Sequence, residues 1–313
     1  MVMPRLFEGI CPQFTQPVFN QCKQVGIKTV ADFITQDPEI LAKKMKTPFK
    51  DVLIIHRSLT VQFSGFTQSA SSLFNDLLET ISILDTGSKS LNRFLKGGVY
   101  TGEITEIHGP PGSGKTQFCL SVISNLILES NSTVLYLDTS GNFTGKRLLL
   151  MLQKSNDKQD FTKKLQNVKI MRIYDIYDLF DSIESLVSEL NKQESRFSRH
   201  LKLLVLDSVT PLLAPCFGSK FLDAVSLINN LAQQLNGLCS DHKLSVLVCN
   251  NTVQAKGSLI KPALGMPWKY VPTVSLSIEK SNNPVHKIKT VKSCRSGLSG
   301  SVSFKISEAG ITD

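Results

Sequence analysis

The residues best suited to chemistry lie in one short run, Gly109-Pro110-Pro111-Gly112-Ser113-Gly114-Lys115-Thr116. Its glycines let successive backbone N–H groups turn toward phosphate oxygens, and a helix opening at its end would add the partial positive charge of an N-terminus. The spacing G-x-x-x-x-G-K-[ST] sets Lys115 to reach the β- and γ-phosphates of a nucleotide and the Thr116 hydroxyl to ligate Mg²⁺. A second run, Leu203-Leu204-Val205-Leu206-Asp207, is apolar and ends in a carboxylate, the usual source of the outer Mg²⁺ contact in such folds. These types ask for ATP with Mg²⁺, with Lys115 and Asp207 as the candidate catalytic residues and Thr116 and Asp207 at the metal.

Such a loop needs a strand before it and a helix after it, and the surrounding pattern supplies both. Beyond Leu84, short apolar runs at 103–108, 134–138, 168–173, 203–207 and 244–249 read as strands. Between them, 116–129, 177–190 and 221–239 carry apolar residues at three- and four-residue steps, as amphipathic helices do. This is the alternation of repeated βαβ units and a mostly parallel sheet. Near the end, Val274-Leu276-Ile278 and Val302-Phe304-Ile306 alternate with polar residues, which predicts half-exposed strands at a β-rich C-terminal edge. The first sixty or so residues read as a small helical unit: Val18, Phe19, Cys22 and Val25 fall at helical spacing, and Asp37 caps a helix that begins with Pro38. Ser64 to Ser72 are small and polar apart from Phe66, which is linker composition. The expected division is a helical domain over 1–62, a linker over 63–80 and an α/β core over 81–313.

Composition sets the remaining bounds. Apolar residues make up 41% and charged residues 19% of 313, enough to bury a core and too ordered for wholesale disorder. No apolar run approaches a membrane span and the first residues lack a signal-peptide pattern, so a soluble intracellular protein with no membrane partner is expected. The seven cysteines form no C-x-x-C pair, and buried free thiols are the expectation. Net charge is +9, and it is concentrated. Lys256, Lys261, Lys269, Lys280, Lys287, Lys289, Lys292 and Arg295 stand against Glu279 alone, a pattern that suits either a polyanionic partner or a solvated basic face.

The runs around the phosphate loop carry more than a generic signal. Leu84-Asp85-Thr86-Gly87 through Leu95-Lys96-Gly97-Gly98, then Gly102-Glu103-Ile104-Thr105-Glu106-Ile107-His108-Gly109, closely resemble the lead-in to the phosphate loop of RecA/RadA-type homologous-recombination ATPases. Asp138-Thr139-Ser140-Gly141-Asn142-Phe143 with Arg147-Leu148 resembles that family's D-T-E-G-x-F…R-L element. The likeness covers about residues 73–313, and Gly26-Ile27-Lys28-Thr29-Val30 resembles the family's helical N-terminus. Pro262-Ala263-Leu264-Gly265-Met266-Pro267-Trp268 is similar to the P-A-L-G-x-x-W segment of the family's paralogues. Tyr270-Val271-Pro272 and Gly9-Ile10-Cys11-Pro12 point to the D branch of those paralogues. Trp268 is read as a core or interface aromatic.

The resemblance implies a RecA-like P-loop ATPase core, with Arg147 on the adenine side of the nucleotide and Asn251 as a γ-phosphate sensor. It implies DNA-facing loops near 214–220 and 252–266, the second carrying Lys256 and Lys261, and a nuclear protein. Aromatics are scarce there, which argues for phosphate contacts with single-stranded DNA. Phe66 stands where these recombinases carry an F-x-x-A motif for the neighbouring subunit, but the alanine comes one step late, at Ala70. Where the family has the water-activating glutamate, this chain has Ser140. A hydroxyl cannot act as the base, and Asp138 lies two residues back, ~6.5 Å away along a strand. The leading expectation is an ATP-binding subunit of a heteromeric assembly with other recombinase paralogues that supports recombinase filaments. The alternative is a self-sufficient DNA-dependent ATPase that exchanges strands in its own filament.

Overall fold

The structure, a computed structural model, describes residues 5–64, 69–155, 161–217, 221–254, 260–281, 285–295, 297 and 300–313. The chain divides into two compact units, Met1–Leu77 and Leu78–Asp313. In the first, helices α1 (Gln16–Gln24), α2 (Val30–Ile34), α3 (Pro38–Met45) and α4 (Phe49–Phe63) enclose a core that includes Phe14, Phe33, Leu41, Val52, Ile55 and Leu59. Local chemistry starts the short helices. Asp32 N–H donates to Thr29 Oγ1 at 3.1 Å while Thr29 N–H donates to Asp32 Oδ2 at 2.9 Å, a reciprocal cap on α2. Asp37 accepts from Glu39 N–H at 2.7 Å and Pro38 takes the first helical position, which opens α3.

The stretch read as linker is largely helical: α5 runs over Ala70–Thr80. Composition of residues 64–72 hides it, whereas Leu73, Phe74, Leu77 and Leu78 recur at the three- and four-residue steps of one helical face. The division into units falls inside this helix.

The second unit begins with β1 (Ile83–Leu84), α6 (Lys89–Phe94), β2 (Val99–Tyr100), β3 (Ile104–His108) and α7 (Lys115–Glu129). It continues through β4 (Thr133–Asp138), α8 (Gly145–Ser155), α9 (Phe161–Leu165), β5 (Val168–Arg172), α10 (Ile176–Lys192), α11 (Arg196–His200) and β6 (Leu201–Asp207). Then come α12 (Thr210–Leu213), a 3₁₀ turn (Ala214–Phe217), α13 (Phe221–Ser240), β7 (Ser245–Asn250), β8 (Thr252–Gln254), β9 (Ile260–Pro262) and α14 (Gly265–Lys269). The end of the chain is all strand: β10 (Val274–Lys280), β11 (Val285–Ser293), β12 (Ser301–Ser307) and β13 (Gly310–Thr312).

One nine-stranded sheet carries the order β13-β12-β11-β10-β3-β7-β6-β4-β5. It is parallel from β10 to β5 and antiparallel from β10 to β13. The central strands are apolar on both faces because helices cover both. Leu203 and Val205 of β6 face the core beneath α7 and α8, while Leu204 and Leu206 face the core beneath α10 and α13. The strands expected at 103–108, 134–138, 168–173, 203–207 and 244–249 and the helices at 116–129, 177–190 and 221–239 are present to within two residues, whereas α8 and β11, whose apolar runs charged residues interrupt, and the three-residue β13 have no counterpart in that pattern. In a parallel sheet all carboxyl ends open on one edge, so β3, β6 and β7 deliver the phosphate loop, Asp207 and Asn250 to a common place.

Candidate nucleotide-binding site

The phosphate run is a tight loop between β3 and α7. Gly114 caps α7 at φ +105°, a conformation costly for any residue with a Cβ. A Cβ on Gly109 would sit 2.3 Å from the Ile278 carbonyl oxygen, so the loop can cross β10 only as glycine. His286 of β11 props the loop from outside: its Nδ1–H donates to the Ser113 carbonyl at 2.9 Å, and its ring stacks on Phe304 with centroids 5.6 Å apart. Lys115 Nζ folds back to donate to the carbonyls of Gly109 at 2.7 Å and Pro110 at 3.2 Å. Burial pushes this ammonium below its usual pKa, the state of a cation poised for a stronger anionic partner.

Opposite the loop, Asp207 Oδ2 accepts from Thr116 Oγ1 at 2.6 Å and from the Tyr136 hydroxyl at 2.7 Å. Burial, with the Asp207 charge, drives the Tyr136 phenol far above its usual pKa, so it remains a donor. Tyr136 is a site residue the sequence did not single out; its position two residues before Asp138 on β4, paired in register with β6, brings it there. Hydroxyl and carboxylate oxygens suit a hard cation such as Mg²⁺. The cleft beside them measures about 580 Å³ and is lined by Pro111, Gly112, Gly114, Lys115, Thr116, Gln117, Ser140, Asn142, Asp207, Ser208, Asn251, Lys280, His286 and Ile306. A glycine cradle, a lysine within it and an oxygen pair for a metal fit the triphosphate of ATP with Mg²⁺.

Ser140 lines this cleft, on a loop that Asp138 holds in shape. Asp138 Oδ1 accepts from the backbone N–H groups of Ser140 (3.1 Å), Gly141 (2.8 Å) and Asn142 (3.2 Å), and Oδ2 accepts from Phe143 N–H (3.2 Å). That carboxylate is committed to backbone donors. Among the described residues, Asp207 is the only carboxylate that lines the cleft. Arg147 is absent from the lining: its guanidinium donates to Gln117 Oε1 at 2.8 Å and to the carbonyls of Glu308 at 2.9 Å and Ser307 at 2.5 Å. It ties α8 to α7 and to the C-terminal hairpin. Asn251 does line the cleft, and its N–H donates to Thr210 Oγ1 at 2.8 Å.

Comparison with known sequences bears directly on this arrangement. The Rad51 family profile matches residues 78–313, the whole second unit, and a profile described as the RAD51D N-terminal domain matches residues 3–62. The chain belongs to the Rad51 family. It is 36% identical over 277 residues to the DNA repair protein RAD51 homolog 4 of Bos taurus, covering 88% of this chain and 85% of the relative. The Mus musculus protein of the same name is also 36% identical, over 279 residues with the same coverage. The DNA repair and recombination protein RadA of Metallosphaera sedula is 26% identical over 310 residues, 95% of this chain and 93% of that one. Both units therefore match the D-paralogue type, and ATP with Mg²⁺ is the family's usual cofactor.

Within this Rad51-family core, the basic segment divides into unlike parts. Lys292 Nζ donates to the carbonyls of Lys269, Tyr270 and Pro272, with distances of 3.4, 3.2 and 2.5 Å. Arg295 pairs with Glu103 at 3.0 Å, and its guanidinium lies 3.8 Å from the Tyr100 ring centroid. Lys289 sits 3.6 Å from Glu279, and Lys280 lines the nucleotide cleft. Lys261 is exposed on the antiparallel pair β8–β9, where Val253 pairs with it. Lys256 and Phe66 lie outside the described residues. Counting charge along the sequence therefore overstated the face open to a polyanion, since carbonyls and carboxylates of the fold claim several of these cations.

A second feature of this Rad51-family core escaped sequence reading. Glu106, on the strand that feeds the phosphate loop, is 2% exposed. Its Oε1 accepts from Asn250 Nδ2 and Trp268 Nε1, both at 2.8 Å, and its Oε2 from Ser275 Oγ at 2.6 Å. Trp268 is thus core. Asn250 and Trp268 bracket the β8–β9 segment, so both its ends are hydrogen-bonded to β3. Beside them His108 is also buried, and burial depresses its pKa, which keeps the ring neutral at pH 7.

Two outcomes follow from these contacts. Lys115→Ala removes the cradle's fixed cation and is expected to weaken ATP binding by about 100-fold or more in a fluorescence titration, the loss of one strong charge-assisted contact. Glu106→Ala leaves the Asn250 amide, the Trp268 N–H and the Ser275 hydroxyl without their acceptor. It is expected to lower unfolding stability by about 3 kcal/mol, measured as a shift in denaturant midpoint.

Proposed function

We propose that this chain is an ATP-binding paralogue subunit that acts in homologous-recombination repair, in a heteromeric assembly with other recombinase paralogues that holds single-stranded DNA and supports recombinase filaments. The observation that carries the reading is the cleft's composition: Lys115, Thr116 and Asp207 supply what binding needs, and among the described residues no uncommitted carboxylate lines the cleft where Ser140 stands. Ser140 cannot take a proton from water at neutral pH, Asp138 is held by four backbone N–H groups, and Asp207 is held by Thr116 and Tyr136. Bound ATP would supply negative charge to neutralise Lys115 and the loop N–H groups, and so would fix the loop, α7 and the β11–β12 hairpin against one another. Nucleotide then acts as a structural ligand, with hydrolysis slow or completed by a neighbouring subunit. The same reading makes the protein nuclear.

Partner binding is supported by the free edge of the sheet. Among the described residues β5 ends the strand order and pairs only with β4, and it exposes Ile170 and Met171, with Tyr174 and Tyr177 just beyond. An unpaired edge with exposed apolar side chains is a template for a strand from another chain. DNA contact is supported by Lys261 on β8–β9, a short ribbon without exposed aromatics among its described residues. Such a surface suits backbone phosphates rather than bases.

Ser140→Glu is expected to raise phosphate release from Mg²⁺-ATP by about 10²–10⁴-fold when the partner is present, the usual worth of a placed base. Brisk hydrolysis by the unaltered chain alone, with no gain from the glutamate, would put the self-sufficient ATPase first. Neutralising Lys256 and Lys261 together is expected to weaken single-strand binding equally for all sequences. It should also reduce the slope of log affinity against log salt by about 0.7 per lost phosphate contact.

A further inference from the structure

A second cleft of about 580 Å³ lies at the other end of the parallel strands from the nucleotide site, where β4 and β5 begin. Lys163 and Lys164 of α9, Lys169 of β5 and Arg196 of α11 line it, together with Asn131 and Asn167, and no carboxylate lines it among the described residues. The cations are set in different ways. Lys169 Nζ sits 3.9 Å from the centroid of the Phe197 ring, and Lys164 Nζ donates to the carbonyls of Leu128 at 3.3 Å and Ser130 at 3.5 Å, at the end of α7. The Arg196 guanidinium makes no ion pair among the described residues. Asn167 is 8% exposed, and its side-chain amide makes no hydrogen bond among the described residues. Like charges drawn into one cleft repel, and a dianion is the ligand that reverses the sign of that interaction.

We propose that this cleft binds the phosphate of a phosphorylated residue on an extended segment of a partner protein, whose main chain pairs with the open edge of β5. The inference rests on reading β5 as a partner-docking edge and adds what that edge selects. Lys169 is the second residue of β5, so a strand laid along this edge passes the cleft at its end. Charge decides between anions: a phosphate monoester carries about −1.5 to −2 at pH 7 and offers three acceptor oxygens to Arg and Lys, whereas a carboxylate brings −1. Nucleic acid fits less well. These cations converge on one cleft instead of tracking a backbone, Phe197 is buried under Lys169 with no face for a base, and the unpaired strand beside the cleft has hydrogen bonds for a peptide.

The test uses the full chain and two degenerate libraries of seven-residue peptides, one with a central phosphoserine and one with serine. The unaltered chain is expected to retain the phosphorylated library at least tenfold better. The exposed double variant Lys169→Gln/Arg196→Gln should lose that preference, with its thermal midpoint unchanged. An oligo(dT) strand should bind both proteins alike. Equal retention of the two libraries by the unaltered chain overturns the proposal, as does a double variant that keeps the phosphopeptide preference or loses oligo(dT) instead. Partner co-purification is followed in parallel. If assembly persists while phosphate preference is absent, only the cleft assignment fails; if the unaltered chain takes no partner at all, the docking reading of β5 fails with it.

Discussion

Asp207 holds the site together. Its carboxylate takes the Thr116 hydroxyl from the first turn of α7 and the Tyr136 hydroxyl from β4, so the phosphate loop, β4 and β6 share one buried acceptor. The contact is possible because β4 and β6 run parallel in a register that pairs Asp138 with Asp207, and because the sheet is apolar enough on both faces to exclude water around it. A low local dielectric strengthens both hydrogen bonds and makes any loss of a partner costly. The oxygens suited to a metal therefore come preassembled, and a bound nucleotide would add charge to a frame that already exists.

The same economy limits what the site can do. At the end of β4 the carboxylate of Asp138 is used to hold the backbone, and the residues of the following loop that line the cleft are Ser140 and Asn142. Binding and turnover separate at this point: oxygen donors, glycine cradle and lysine suit the first, and for the second no uncommitted carboxylate lines the cleft among the described residues. A fold can keep a nucleotide for the contacts it organises, and here those contacts run from the phosphate loop through His286 to the C-terminal strands and through Glu106 to both ends of β8–β9.

What the sequence revealed follows from how local each signal is. The phosphate loop was legible because its chemistry demands particular residues at consecutive positions, and Asp207 because an apolar strand ending in a carboxylate is a contiguous pattern. Ser140 was legible only against a family motif. The Glu106 cluster was not, since its partners at 250, 268 and 275 are remote in sequence and unremarkable in type. Charge was legible in amount and misleading in place: Lys292 and Arg295 are held by carbonyls and a carboxylate of their own chain, and the converging cations at 163, 164, 169 and 196 come from three elements that only folding brings together. α5 was missed because the polar residues before it set the reading for the whole stretch.

The central claim is that ATP serves this chain as a lasting structural ligand. The most direct measurement is the identity of the nucleotide extracted from the purified complex of the chain with its co-purified partner, followed over a long incubation with Mg²⁺ and no free ATP. The account predicts that the nucleotide in this subunit stays ATP and that the complex stays assembled over the same period. Rapid conversion to ADP in this subunit, with the partner's own ATP site disabled, would contradict it.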